Sequence, residues 1–475
     1  MSLSFFPTPD LLYVARLEGA EIVNMDMMEY PTAVQVIKKK DIIYKQCKYS
    51  KRSYCDCYYP LQLLLLNDKN PFACSASECN YRRIRASEGS VVYSVDKEII
   101  DVSTIISKLF EDIVKRTTPT SSVCVVIPDY YEQRRRKTII SLMAEAIKND
   151  KVSVSLVNQS AAVMMNMKRQ FTDNNERTIL TLRFDDGPLQ VAVYSVSSEG
   201  YVPLGSFTDP SLCGTHLISR TVDQFIETMS DEAKEEYANH REDEKKKLRL
   251  DFWNNVCLFL QKHGEGDEPI LDLDNVDDFQ MELFDTVLSS CLDSMDNAVM
   301  NCMLLANVDK MGIDIVVVSG IWGSYNLVQS HMKEYFDKAM IVYLSDEDIC
   351  KSALVQSQLM SPQLKQCLQS TITIKSSTED PQVICDLFTA YPCVIKKDLC
   401  FPLNTVFQKS LTVTQSTLSD PLDVTKEAVD VSSACIVHED ILLESTISVD
   451  SNGLISLALN DNIATIRKST PLNLK

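Results

Sequence analysis

The side chains with the greatest capacity for chemistry in this chain are five histidines, sixteen cysteines and a carboxylate-rich turn at Asp185-Asp186. His216, His240, His263, His331 and His438 are scattered, and no pair stands at the spacing of a zinc-binding helix. Core or surface placement suits them better than general-base work. Cys47, Cys55, Cys57, Cys74 and Cys79 lie close together, and their C-x-C and C-x₄-C spacings could suit zinc. No paired C-x₂-C and no nearby histidine joins them, so small reduced thiols are the competing reading. No G-x-S-x-G or G-K-[ST] occurs, which leaves serine hydrolases and P-loop enzymes without a motif. Arg134-Arg135-Arg136-Lys137 could touch an acidic partner or ribosomal RNA, or form a solvated helix face. Arg183 could hold an anion, or pair with Asp185 or Asp186. Only 12 of 475 residues are glycine, well below the usual ~7 %. Backbone N–H groups approach phosphate closely only where glycine permits it, so a Gly-rich nucleotide loop is not expected.

The elements that must carry these residues follow from hydrophobic patterning. In the first 120 residues, 11–17 and 21–24 read as a strand pair and 31–37 as a third strand. Residues 100–116 read as a helix capped by Asp101 or Ser103. The apolar run 123–127 suits a strand buried on both faces, and a helix over 132–148, a strand over 152–157 and a short helix from Ser160 follow. Segments 178–184 and 189–196 form a hairpin around Asp185-Asp186-Gly187-Pro188, a strong turn signal. Two helices broken near Ser230, a strand at 270–273, a helix over 277–304, a strand at 313–318 and a helix over 324–336 complete the body. Beyond residue 361 only short β-branched segments recur, at 371–375, 394–397, 410–415, 434–437, 446–449 and 454–459. Asp450-Ser-Asn-Gly453 reads as a hairpin turn between the last two.

In this order, several segments resemble the heat shock protein 70 family. Val125-Val-Ile-Pro-Asp-Tyr-Tyr131 is similar to its V-P-A-Y-F motif, and Asn158-Gln-Ser-Ala-Ala162 to N-E-P-T-A-A. The segment 179–196 is similar to the second phosphate hairpin, D-L-G-G-G-T-F-D-V. Leu212-Cys213-Gly214 stands where the family has L-G-G, and Ser319-Gly320-Ile321-Trp322-Gly323 lies in the counterpart of V-G-G-S-T-R. Residues 448–457 are similar to the D-A-N-G-I-L hairpin. The resemblance implies an α/β fold: an actin-like (ribonuclease H-like) two-lobed nucleotide-binding-type domain over 1–360, then a β-sandwich over 371–475 without a helical lid. It implies ATP as the family ligand, polypeptide clients, and a ribosome-bound J-domain co-chaperone as partner.

The departures fall on the nucleotide-site positions. The leading aspartate of the phosphate hairpin is Arg183, its G-G-G-T core is Asp185-Asp186-Gly187-Pro188, and its closing aspartate is Gln190. Pro188 has no N–H to donate, and the two aspartates repel phosphate. The metal-organising glutamate is Gln159, and Trp322 stands where a small polar residue would flank adenine. The stretch 4–11, where the first phosphate loop belongs, has no glycine, and the lysine expected near residue 63 is replaced by Leu61-Gln-Leu-Leu-Leu-Leu66. The would-be clamp segment carries Trp253, Val256 and Cys257. Each lost charge-assisted contact costs roughly 1.5–3 kcal/mol. Losing four removes on the order of 6 kcal/mol, or about 10⁴ in affinity. The expectation is a pseudo-ATPase without cofactor or metal, with Gln159, Arg183, Asp185, Asp186, Gly187, Pro188, Gln190, Gly214, Ser319, Gly320, Trp322 and Gly323 as vestigial site positions. Trp253, Val256, Cys257, Ile321 and Trp322 are expected to pack together and hold the cleft closed.

Composition sets the outer limits. Hydrophobic residues are 45 % and charged residues 24 % of the chain, ordinary for a globular protein with a large core. The balance of 47 basic against 66 acidic residues, net charge −19, argues against nucleic acid or an anionic membrane as partner. With no signal or membrane segment recognisable, a cytoplasmic location and reduced cysteines are expected. A nucleotide-independent co-chaperone or scaffold is the leading reading; a working ATP-driven chaperone and an actin-like structural protein with an unrelated β-tail are the alternatives.

Overall fold

The computed structural model describes residues 2–7, 11–17, 25–31, 34–38, 43–46, 60–65, 84–87, 90–95, 98–170, 175–197, 200–241, 244–245, 281–359, 366–367, 370–375, 382–385, 390–391, 393–401, 410–417, 424–430, 441–461 and 467–471. Three antiparallel strands open the chain: β1 (Ser2–Pro7), β2 (Leu11–Leu17) and β3 (Met25–Pro31). Small elements follow: the pair β4 (Val34–Lys38) and β5 (Ile43–Gln46), helix α1 (Pro60–Leu63), and the meander β6 (Ile84–Ser87), β7 (Ser90–Val95) and β8 (Glu98–Asp101). Then come α2 (Val102–Thr117), β9 (Ser122–Ile127), α3 (Gln133–Ile147), β10 (Ser153–Asn158) and α4 (Gln159–Gln170). On α2, Ile105, Ile106, Leu109, Phe110 and Ile113 recur at helical spacing and are buried, as an amphipathic helix requires. Thr118 ends it in the left-handed region and returns its N–H to the Val114 carbonyl at 2.8 Å.

Strand β9 is parallel to both β1 and β10, so the first sheet has the order β10-β9-β1-β2-β3. The second sheet is built from β11 (Arg177–Arg183), β12 (Pro188–Ser197) and β13 (Gly200–Cys213), then β14 (Ile315–Ser319) and β15 (Met340–Leu344). Between them lie α5 (Gly214–Thr228), α6 (Asp231–Asn239), α7 (Met281–Leu305) and α8 (Asn326–Tyr335); α9 (Asp346–Leu359) follows β15. Its order is β13-β12-β11-β14-β15. The two sheets share one plan: a three-stranded antiparallel meander with two parallel strands added beside its first strand. The apolar runs of β9 and β14 are wholly buried, as strands covered on both faces must be. Helix α9 packs its Ile349, Cys350, Ala353 and Leu354 into a core shared with Phe6, Ala15 and Leu17 of the first sheet and Ile179 and Ala192 of the second.

After α9 the described residues are all strand or turn. A two-stranded pair, β16 (Gln366–Cys367) with β19 (Ala390–Tyr391), accompanies two four-stranded antiparallel sheets. One contains β17 (Ser370–Lys375), β18 (Gln382–Cys385), β21 (Ser410–Thr417) and β22 (Val424–Asp430). The other contains β20 (Cys393–Phe401), β23 (Ile441–Val449), β24 (Ile455–Asp461) and β25 (Arg467–Pro471). The molecule is thus a mixed α/β fold whose described tail residues form strands and turns. Among the described residues no helix is long and apolar enough to cross a membrane.

Three sequence expectations are revised. The partner of β2 is β3 at 25–31, so the third strand expected over 31–37 divides into the end of β3 and a separate β4. Patterning missed the long β13, whose interior Pro203, Gly205 and Pro210 mask its alternation. Most consequential, the run Arg134–Lys137 is not a uniformly solvated face: Arg135 is 2 % and Arg136 1 % exposed. They sit on the side of α3 that faces the tail and α1. The strands at 21–24 and 270–273, the segment 434–437, the cysteines at 47–79 and Trp253, Val256 and Cys257 lie outside the described residues.

Candidate functional site

The residues singled out by sequence converge where the two sheets meet. At the end of β11, Arg183 is 5 % exposed. Its Nε donates to Asp185 Oδ2 at 2.7 Å, and Nη1 reaches Asp346 Oδ1 at the start of α9. Its guanidinium carbon lies 4.9 Å from the centroid of the Phe6 ring on β1, a cation–π distance. Of the two readings of Arg183, the salt bridge to Asp185 is the one realised. Burial alone would push the guanidinium down, but Asp346 and Asp185 raise it above its ordinary value. Burial pushes the Asp185 carboxyl up, against the pull of Arg183. Asp185 Oδ1 also accepts the Gly187 N–H at 2.7 Å, closing the turn into β12. Arg183 Nη2 is buried without an acceptor. Asp185, Asp186 and Asp346 outnumber the one guanidinium, so the local field disfavours an anion there.

The adjoining turn is filled by an indole. Trp322 is 4 % exposed; its Nε1 donates to Asp186 Oδ1 at 2.8 Å, and its ring lies 5.8 Å from Phe284 of α7, tilted by 44°. It presses on Gly214, where a Cβ would stand 1.9 Å from Nε1. Gly214 opens α5, whose free N–H groups would favour an anion by dipole and hydrogen bonding. Here Gly214 N–H donates to the Asp185 carbonyl at 2.9 Å and Thr215 N–H to that of Asp186 at 3.4 Å. The turn after β14 is folded onto the same place. Trp322 and Gly323 N–H both donate to the Phe184 carbonyl, at 3.1 and 3.0 Å, while Ser319 O accepts from Phe184 N–H at 3.0 Å. Gly320 has φ +89°, and a Cβ there would meet the Phe184 carbonyl at 2.4 Å, so glycine is obligatory. Ile321 is 37 % exposed: the turn that buries Trp322 points its neighbour outward.

Gln159 and Gln190 engage each other. Gln190 Nε2 donates to Gln159 Oε1 at 3.1 Å, and Gln190 Oε1 accepts the Asp129 N–H at 3.0 Å. Asp129 is buried, as are Ser160 and Tyr194. It accepts the Ser160 N–H at 3.0 Å and the Ser160 hydroxyl, which also bonds Tyr194 OH at 2.7 Å. Burial pushes the Asp129 carboxyl up, opposed by Ser160 and by Arg136. Sequence reading missed Asp129, Tyr194, Asp346 and Phe6. The one available signal was an aspartate standing in the V-P-A-Y-F segment where the family has alanine.

A nucleoside triphosphate with its metal does not fit these residues. The N–H donors of Gly214 and Thr215 are spent on protein carbonyls, the space beside Gly214 holds the indole, Pro188 offers no donor, and the buried Arg183 is held by two carboxylates. Among the described residues no cluster of histidine, cysteine, aspartate and glutamate could hold a metal ion. No protein-family model matches the chain, and no curated protein matches it.

Proposed function

We propose that this chain is a degenerate member of the heat shock protein 70 family: an actin-like, two-lobed body followed by a β-sandwich without a helical lid. In this reading it is a pseudo-ATPase that works in the cytoplasm as a nucleotide-independent scaffold or peptide-binding co-chaperone. Its partners are polypeptide clients, including nascent chains at the ribosome, and a J-domain co-chaperone. The repeated strand order of the two sheets supports the two-lobed assignment, since each lobe of an actin-like body is one such unit. The observation that carries the functional reading is the pairing of Trp322 with Asp186 over Gly214. That pairing fills the turns at the end of the second sheet where the phosphates would lie, and Arg183, held between Asp185 and Asp346 and against Phe6 of the first sheet, ties the second sheet to the first without a nucleotide.

Isothermal titration with Mg·ATP tests the reading. The expected result is no binding tighter than about millimolar and no hydrolysis above background, while an unfolded polypeptide is still bound without nucleotide. Micromolar binding of Mg·ATP would replace this reading with that of a working ATP-driven chaperone.

A further inference from the structure

The seam between the α/β body and the strand tail carries a hydrogen-bonded network of its own. Arg136 of α3 lies at its centre, 1 % exposed. Its Nε donates to the Tyr131 carbonyl at 2.6 Å and its Nη2 to Asn158 Oδ1 at 2.8 Å, both in the body. Its Nη1 crosses to the tail, donating to Tyr391 OH at 3.0 Å and to the Asn452 carbonyl at 3.1 Å. Tyr391, itself 0 % exposed, returns a hydrogen bond from its hydroxyl to Asn158 Oδ1 at 3.1 Å. The tail's turn is shaped to receive the guanidinium. Asp450 Oδ1 accepts the N–H groups of Asn452 and Leu454 at 2.9 and 2.8 Å, and Gly453 sits at φ +73°. A Cβ on Gly453 would stand 3.0 Å from Arg136 Nη1 and 3.1 Å from the Tyr391 ring.

Backbone groups of two strands are also paired across this seam. Strand β10 is the outer strand of the first sheet, and its Leu156 N–H donates to Asn452 Oδ1 at 2.9 Å. Ile455 opens β24, and the Gln133 amide serves it as a neighbouring strand would: it accepts the Ile455 N–H at 2.7 Å and donates to the Ile455 carbonyl at 3.2 Å. Parting the two halves would leave these backbone groups unpaired and strip a buried guanidinium of acceptors. Such groups are costly to leave unmade in a partly dry seam.

We infer that the Asp450–Gly453 hairpin is a permanent latch, clasped by Arg136 and Gln133, that makes body and tail one cooperative unit whose relative placement does not respond to nucleotide. The inference stands apart from the proposed function, because none of its hydrogen bonds involves the cleft.

Hydrogen–deuterium exchange on the full-length chain tests it, read in peptides covering β10 and residues 450–456. In the wild type both segments should be protected, equally with and without Mg·ATP. In Arg136→Met, and separately in Gln133→Ala with Asn452→Ala, both segments should exchange together, faster by on the order of tenfold or more. Exchange in β14 should stay unchanged in each variant, which reports an intact body; if Arg136→Met does not fold, the double variant decides alone. Unchanged protection in a folded variant, loss in only one of the two segments, or a nucleotide-dependent difference in the wild type would overturn the latch. Titration of ATP bears on the cleft alone, so the two readings fail separately.

Discussion

Replacing Trp322 by alanine is the most direct perturbation of the closed site. A buried tryptophan removes roughly 150–250 Å² from water. At about 25 cal/mol per Å² that is ~4–6 kcal/mol as an upper figure; core truncations of this size cost roughly 3–5 kcal/mol. A second loss is polar. Without Nε1, the buried Asp186 carboxylate gives up its 2.8 Å donor, at about 1–3 kcal/mol. The neighbourhood cannot collapse freely, because Phe284, the Gly214 backbone and the Phe184 carbonyl are each fixed by a helix end or a strand end. The expected outcome is a destabilisation of roughly 4 kcal/mol or more, measured by urea denaturation followed by far-ultraviolet circular dichroism. Trp322→Phe should keep most of the packing and lose chiefly the polar part, about 1–3 kcal/mol. The order of the two variants separates packing from hydrogen bonding. A Trp322→Ala protein within about 1 kcal/mol of wild type would refute the claim that the indole is a packed and hydrogen-bonded part of the site.

Arg183→Met leaves Asp185 buried without its guanidinium, and a loss of roughly 3–5 kcal/mol is expected in the same assay; a neutral result would mean the pair holds nothing together. Gly214→Ala drives a methyl group to 1.9 Å from Trp322 Nε1 and 2.8 Å from the Asp185 carbonyl. A marked fall in thermal midpoint is expected, and combined with Trp322→Ala the two losses should sum to less than their separate values, since the indole clash is then gone. The raised Asp129 pKa gives a pH dependence of stated sign. Between its ordinary value of 3.8 and its raised folded value, the folded state holds the proton that the unfolded state has released, so this group's contribution to stability falls as pH rises through that window. Asp129→Asn should remove that slope, seen as a difference between the two proteins in thermal midpoint across pH 4–8; parallel curves would contradict it.

Much of this protein is written in local pattern. The continuous apolar runs that become β9 and β14 and the 3.6-residue spacing of α2 are legible because strand and helix burial impose different periods. The Asp185–Pro188 and Asp450–Gly453 turns are legible because turn chemistry is local. That no glycine-rich phosphate cradle stands at the Asp185–Pro188 turn is legible from the residues alone, since an absent N–H needs no structure to be noticed. The salt bridge from Arg183 to Asp185 was within reach, because both residues stand on one hairpin. What packs around that turn was decided by tertiary structure alone. Asp346 is 163 residues from Arg183, and only the packing of α9 against both sheets brings its carboxylate there. Trp322 and Ile321 are adjacent and both apolar, yet the turn after β14 buries one and exposes the other. Arg136 shows the limit most plainly. In the sequence it is the third residue of a basic run, and solvation is the default for such a run. It is buried because a hairpin more than 300 residues away supplies the acceptors that replace water. No local window holds both partners of that bond, so no reading of local pattern could have placed it.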